Sequence, residues 1–175
     1  MSKKTPDTQP NFIATLRAQE IVTSQDLATL KSAVKNALNL LYEKDLYLLE
    51  NAVHERTIVA HFATHLKSLA GNLFTNYNLD LEYNRNGDDV KEIEKYPHGI
   101  IPDLLIHKRG KGMRFSKEHT NILAIEFKTY WNNDEKSYEE AEYKISSLLK
   151  EYNYKLGAVI VLEKTRDSAR IDWKN

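Results

Sequence analysis

The chain contains no cysteine. That removes disulfides, thiol nucleophiles and thiolate zinc sites together, and it suits a reducing compartment. Long apolar runs are missing too: no stretch approaches the roughly 20 residues that a membrane-spanning helix needs. Lys3 and Lys4 near the N-terminus are followed by no apolar segment, so no secretory signal is expected and the chain reads as a cytoplasmic protein. An excess of one charge is absent as well, since 25 basic side chains balance 25 acidic ones. Avid, indiscriminate nucleic-acid binding usually shows a basic excess, so any such contact here must come from a local patch. Glycine and proline are sparse, at six and four in 175 residues, and there is no repeat or low-complexity tract. This length is most simply one domain with a core of its own.

What is present divides the chain into elements. Residues 1–22 hold Pro6 and Pro10 among polar side chains and are expected to be a loosely docked tail. Thr23-Ser24-Gln25-Asp26 resembles a helix N-cap, and Leu27, Leu30, Val34, Ala37, Leu38 and Leu41 follow at helical spacing, which predicts an N-terminal helix over 23–44. A second stripe runs through Leu48, Ala52, Val59, Phe62, Leu66 and Leu69, either as a second helix or as a bent continuation. Leu79 to Tyr83 alternates with period two, as a half-exposed strand does, and Asn86-Gly87-Asp88-Asp89 reads as a turn. Leu104-Leu105-Ile106 and Ile122 to Lys128 read as strands joined by a loop over 108–119. A third helix carries Tyr138, Ala141, Ile145 and Leu148 on one face, and Leu156 to Leu162 is apolar throughout, as a strand buried on both faces would be. Taken from the second helix onward, the order is α-β-β-β-α-β. The last helix is a crossover, which predicts an α/β fold with a mixed four-stranded sheet, helices on both faces and an N-terminal helical extension before a core over 45–175.

Chemistry concentrates at the ends of two of these strands. Pro102-Asp103 opens one apolar run, and Glu126-Phe127-Lys128 closes another 23 positions later. Residues two apart on a strand share a face, so Glu126 and Lys128 project together. An antiparallel hairpin sets the start of the first strand beside the end of the second, which brings Asp103 to Glu126. Charges placed there destabilise the fold unless they pair or hold a metal. The second helix adds Glu55, which at 100° per residue falls about 20° from Leu48 and Leu66 and about 40° from Val59, inside the apolar stripe. A helix-edge glutamate paired with a basic side chain is the ordinary alternative, as is a simple Glu-Lys pair at the strand end.

Such a set suits metal-assisted phosphodiester hydrolysis. Asp103, Glu126 and a backbone carbonyl of Ile125 or Phe127 supply the oxygen ligands that magnesium prefers, Glu55 adds a further ligand, and Lys128 stabilises developing negative charge. These residues resemble the PD-(D/E)xK nuclease superfamily, the restriction-endonuclease-like fold, over roughly residues 45–163. The likeness rests on Pro102-Asp103, Glu126-Phe127-Lys128, Glu55 and the order of elements. It implies a Mg2+-dependent deoxyribonuclease, with Mn2+ as substitute, in which Asp103 and Glu126 bind metal and Lys128 is the catalytic lysine. Restriction, phage defence and repair are the settings it implies; RNA is not set apart from DNA, and the third helix lacks the Gln-x-x-x-Tyr of one exonuclease-like branch. A silent relative that binds nucleic acid or a protein partner is the competing reading, favoured by the neutral charge. Homodimerisation or docking to a larger complex is assigned to the N-terminal helices.

Four further features invite a role. Lys108, Arg109, Lys111, Arg114 and Lys117 make the densest basic run, suited to backbone phosphates but placed at the far tip of the hairpin, roughly 16 Å from Asp103 at strand rise. Tyr130 and Trp131, just past Lys128, can stack a base. His98 precedes Asp103 by five residues and can reach toward a phosphate. His61-x-x-x-His65, with His54 on the same side, reads as a solvated face rather than a zinc site.

Overall fold

The computed structural model describes residues 22–70, 75, 77–117 and 119–174. The predicted tail therefore lies almost wholly outside the described residues. Helix α1 spans Ser24–Lys44 and starts where the sequence predicts: Thr23 caps it, accepting from the Asp26 N–H while Asp26 accepts from Thr23 in return. The second stripe is not one helix. A short α2 (Leu46–Glu50) is followed by a break through residues 51–54, and α3 runs Glu55–Ala70. Ala52 at the break has φ +48°, a left-handed backbone that a continuous helix excludes. Leu69, placed on the apolar face from sequence, is 44% exposed instead.

Five strands form the main sheet, not four, in the order β1-β4-β5-β6-β7. They are β1 (Asn78–Leu81), β4 (Leu104–His107), β5 (Asn121–Thr129), β6 (Leu156–Leu162) and β7 (Arg170–Lys174). The extra strand β7 pairs antiparallel with β6, and its Ile171 and Trp173 pack on the core while Arg170, Asp172 and Lys174 alternate with them. The turn at Gly87-Asp88 closes a two-stranded hairpin of β2 (Arg85–Asn86) and β3 (Asp89–Val90) outside this sheet. β4 pairs antiparallel with both β1 and β5, whereas β5 and β6 run parallel, joined by α4 (Glu135–Tyr152). The result is a mixed α/β sheet with helices on both faces.

The two faces carry separate cores. Leu104, Ile106, Leu123, Ile125, Phe127, Ala158 and Ile160 pack against α1 and α3. Leu105, Ala124, Val159 and Val161 point the other way, toward Ala141, Ile145 and Leu148 of α4. Gly157 lets α4 come close, because a Cβ there would meet the Ile145 Cγ2 at 2.4 Å. Helix α1 buries Leu30, Val34, Ala37, Leu38 and Leu41 inside this single chain. Its apolar face is thus already covered, and association through it would need a different surface. Among the described residues, no helix is long and apolar enough to cross a membrane.

One buried cation stands out. Lys91 is 3% exposed, and its ammonium faces the rings of Tyr152 (4.3 Å), Tyr83 (5.9 Å) and Tyr154 (6.0 Å). Burial pulls its pKa from 10.5 down to about 8. The unfolded chain therefore holds this proton more tightly, so stability rises as pH climbs from about 8 toward 10.5, and the difference is roughly 3 kcal/mol. Lys91→Met keeps the linear stem without the charge. It is expected to flatten that rise and to add about 1–3 kcal/mol at neutral pH, read from denaturant midpoints across the alkaline range. A less stable variant at neutral pH would show that the ring contacts outweigh the burial.

Candidate active site

Strand β5 sets the site. Its partners in β4 pair as Leu104 with Ile125 and Leu105 with Ala124, and the same register carries Asp103 onto Glu126. Asp103 is fixed there by the Phe127 N–H, which donates to its Oδ2 at 2.7 Å. The Phe127 side chain points to the opposite face and meets the Phe62 ring edge-on at 5.0 Å. Since Ala124 faces α4, Glu126 and Lys128 face α4 too. Lys128 is half-buried.

Glu126 is 1% exposed in a sheet whose other central side chains are apolar. A carboxylate so placed needs a partner, and it has one in α4: the Lys144 Nζ donates to its Oε2 at 3.0 Å. Its Oε1 is buried with no hydrogen-bond partner among the described residues. Burial, with Asp103 nearby, pushes the Glu126 pKa up from 4.5 to about 8. Burial likewise raises Asp103, with the Phe127 N–H and the lysines Lys144 and Lys128 opposing it. Lys144 is itself drawn down by burial, but the charge and hydrogen bond of Glu126 outweigh this and raise its pKa.

Glu55 arrives from the other side of the sheet as the first residue of α3. The angular reading from Leu48 crossed the helix break, yet within α3 the residue still lies about 20° from Phe62 and Leu66. Its Oε2 is buried without a hydrogen-bond partner among the described residues, and burial followed by the Asp103 charge raises its pKa against the opposing Lys128 charge and Thr129 hydroxyl. Glu55 and Asp103 line a cleft of about 400 Å³ together with His54, Arg56, Glu82 and Ile101, and an Arg56–Glu82 ion pair borders it. The carboxylates thus run in a line, from Glu55 at the cleft through Asp103 to Glu126 in the interior.

This donor set fits a hard divalent cation in its chemistry: oxygen ligands only, with one orphaned buried oxygen on Glu126 and one on Glu55. A ready-made group of three or more His, Asp or Glu ligands is not assembled among the described residues. One Glu126 oxygen is held by Lys144 instead, and one Asp103 oxygen by the Phe127 N–H.

Other predicted site residues lie elsewhere or are already engaged. Tyr130 does not present a free ring: its hydroxyl donates to the Leu49 carbonyl at 3.3 Å, and Lys164 sits over it at 5.2 Å. Trp131 is 37% exposed and meets Tyr130 edge-on. His98 is exposed on its loop, with no hydrogen bond or ion pair to the carboxylates among the described residues. In the basic run, Arg109 pairs with Asp80, Arg114 with Glu151 at 2.6 Å, and Lys108 covers the Tyr77 ring at 4.8 Å, while Lys111 and Lys117 extend to solvent with no such partner among the described residues. The histidine face is not bare either, since Asp45 holds His61 at 2.8 Å and His65 at 2.6 Å. Lys144 was missed. Its signal was present: it is three residues after Ala141 and four before Leu148, on the buried stripe of α4.

No protein-family model matches this chain, and no curated protein does. The crystal structure of SSO0001 is similar to it with a TM-score of 0.34 and 16% identity, over 90% of this chain and 79% of that one. A likeness of that size carries no statement about activity.

The raised carboxylates give the site a pH signature. Glu126 binds its proton more tightly folded than unfolded, so its contribution to stability is complete below about 4.5 and is lost as pH rises toward 8. Glu126→Gln is expected to flatten that loss and to exceed the wild type in stability at the upper end of this window, by urea midpoints. A wild type whose stability does not fall across the window would contradict the burial of an uncompensated oxygen.

Proposed function

We propose that this chain is a divalent-metal-dependent nuclease of the PD-(D/E)xK type, with a restriction-endonuclease-like core, that hydrolyses phosphodiester bonds of DNA. The observation that carries the reading is Glu126: a carboxylate at the core of an apolar sheet, beside Asp103, with one oxygen unpartnered. A fold does not keep that arrangement for stability, because an apolar residue of the same volume would serve better. Strained electrostatics behind a cleft that Glu55 and Asp103 line point to function.

In this reading Asp103 and Glu126 would hold Mg2+ or Mn2+, with Glu55 as a further ligand and a backbone carbonyl of β5, at Ile125 or Phe127, beside them. Bound there, such an ion would supply positive charge for the phosphoryl oxygens and for activating water. Lys128 shares the face of Glu126 and steadies negative charge as the phosphorus is attacked. Lys144 keeps Glu126 in place before substrate arrives. Asp103 holds its orientation through the Phe127 N–H and lines the cleft.

The Lys144–Glu126 pair also favours a second reading, in which the ammonium permanently replaces the metal and the chain is a silent nuclease-fold module that binds nucleic acid or a partner. Cleavage separates the two. Plasmid or single-stranded DNA with Mg2+ or Mn2+ should be cut by the wild type, and Lys128→Ala should lower the rate by about 100-fold or more while unfolding at the same midpoint. Equal rates in both proteins, or no cleavage with either metal, would remove the catalytic assignment and leave the silent reading.

A further inference from the structure

The described part of the loop after β4, residues 108–117, is built, not slack. The buried Asn121 amide donates to the carbonyls of Gly112 (2.8 Å) and Tyr152 (2.7 Å), tying the loop to the end of α4. Gly112 has φ +59° and no room for a side chain, since a Cβ would lie 2.6 Å from Asn121 and Thr120. Arg114 is held at both ends: its N–H donates to Asn86, and its guanidinium pairs with Glu151. This scaffold presents Phe115 outward, 71% exposed, with Met113 beside it in sequence at 50%.

Phe115 is not there for packing. Its φ is +58°, a left-handed backbone that a bulky side chain adopts only when its surroundings impose it. Its own N–H is tied to the Glu151 carbonyl, and the Arg114 guanidinium lies 5.0 Å from its ring. Around it opens a depression of about 460 Å³ that includes Lys117, His119 and Lys150. Lys117 and Lys150 are exposed and take no part in the ion pairs among the described residues. An exposed, rigidly held aromatic with a stacked guanidinium and flanking free ammonium groups matches the needs of an unpaired base and its phosphates. Inside a duplex the bases are stacked on one another, so a duplex would use the lysines and not the ring.

Resting on the nuclease reading, we propose that Phe115 is a stacking platform for an unpaired nucleotide, with Lys117 and Lys150 holding its flanking phosphates, so that the substrate is DNA with a single-stranded segment. Distance fits that role. Along β5, Asn121 precedes Glu126 by five residues, about 17 Å, and Lys150 follows Lys144 by about 9 Å along α4. The platform therefore lies about three to five stacked nucleotides from the carboxylates, measured along these elements.

Fluorescence anisotropy of labelled oligonucleotides in EDTA tests the platform apart from catalysis. Single-stranded DNA and a duplex with a single-stranded flap are compared with a blunt duplex, for wild type, Phe115→Ala, Phe115→Trp and Lys117→Glu. Phe115→Ala should weaken single-strand and flap binding about 5- to 150-fold and leave the blunt duplex unchanged, and Phe115→Trp should restore it. Lys117→Glu should weaken every ligand and flatten the salt dependence. Unchanged single-strand affinity in Phe115→Ala, equal loss for the blunt duplex, or no recovery with Trp overturns the platform. Cleavage by wild type and not by Lys128→Ala, with no effect at Phe115, overturns the platform alone. Phe115-dependent binding without any cleavage overturns the nuclease reading and leaves the platform standing.

Discussion

Much of this architecture depends on keeping one carboxylate, Glu126, inside an apolar sheet. The strand that carries it is buried at every position from Asn121 to Phe127. Burying a lone charge there would cost several kcal/mol even after relaxation, so the surrounding elements must answer it. Helix α4 does so with Lys144, and it comes near enough only because Gly157 on the adjacent strand offers no side chain. Asp103 is set beside the same carboxylate by the β4–β5 register and by the Phe127 N–H. Two like charges and two lysines then share a small volume. That balance is poised, not relaxed, because the Glu126 Oε1 still lacks a partner.

The arrangement divides labour across the sheet. Glu126, Lys128 and Lys144 lie toward α4, whereas Glu55 enters from α3 beside the cleft. Asp103 stands between them and feels both: it raises the pKa of Glu55 and of Glu126. A cation bridging Asp103 to either neighbour would relieve that repulsion. The far end of the same strands is constructed differently, with Arg109–Asp80–His107 and Arg114–Glu151 pairs that make a stiff loop in place of a basic cloud.

The sequence made local periodicity easy to read and long-range pairing hard. Adjacency of Asp103 and Glu126 followed from alternation and a hairpin register, both short-range rules. Lys144 lies 18 residues beyond Glu126 across a crossover, amid Glu139, Glu140 and Glu142, so it looked like part of a solvated helix face. Only its spacing from Ala141 and Leu148 marked it as inward. The fifth strand carried its own alternation in Ile171 and Trp173 but followed the element where the expected order ended. For Tyr130, a sequence shows an aromatic beside a site without the Leu49 carbonyl that accepts from its hydroxyl. The same holds for the arginines of the loop, since their acidic partners come from β1 and α4.

The most direct test is anomalous diffraction from crystals grown with Mn2+. A peak between Asp103 and Glu126, with Lys144 displaced from the Glu126 Oε2, is the expected result. Lys144 still paired with Glu126 and no peak at these carboxylates, under Mn2+ concentrations that saturate other nucleases, would contradict a metal site here.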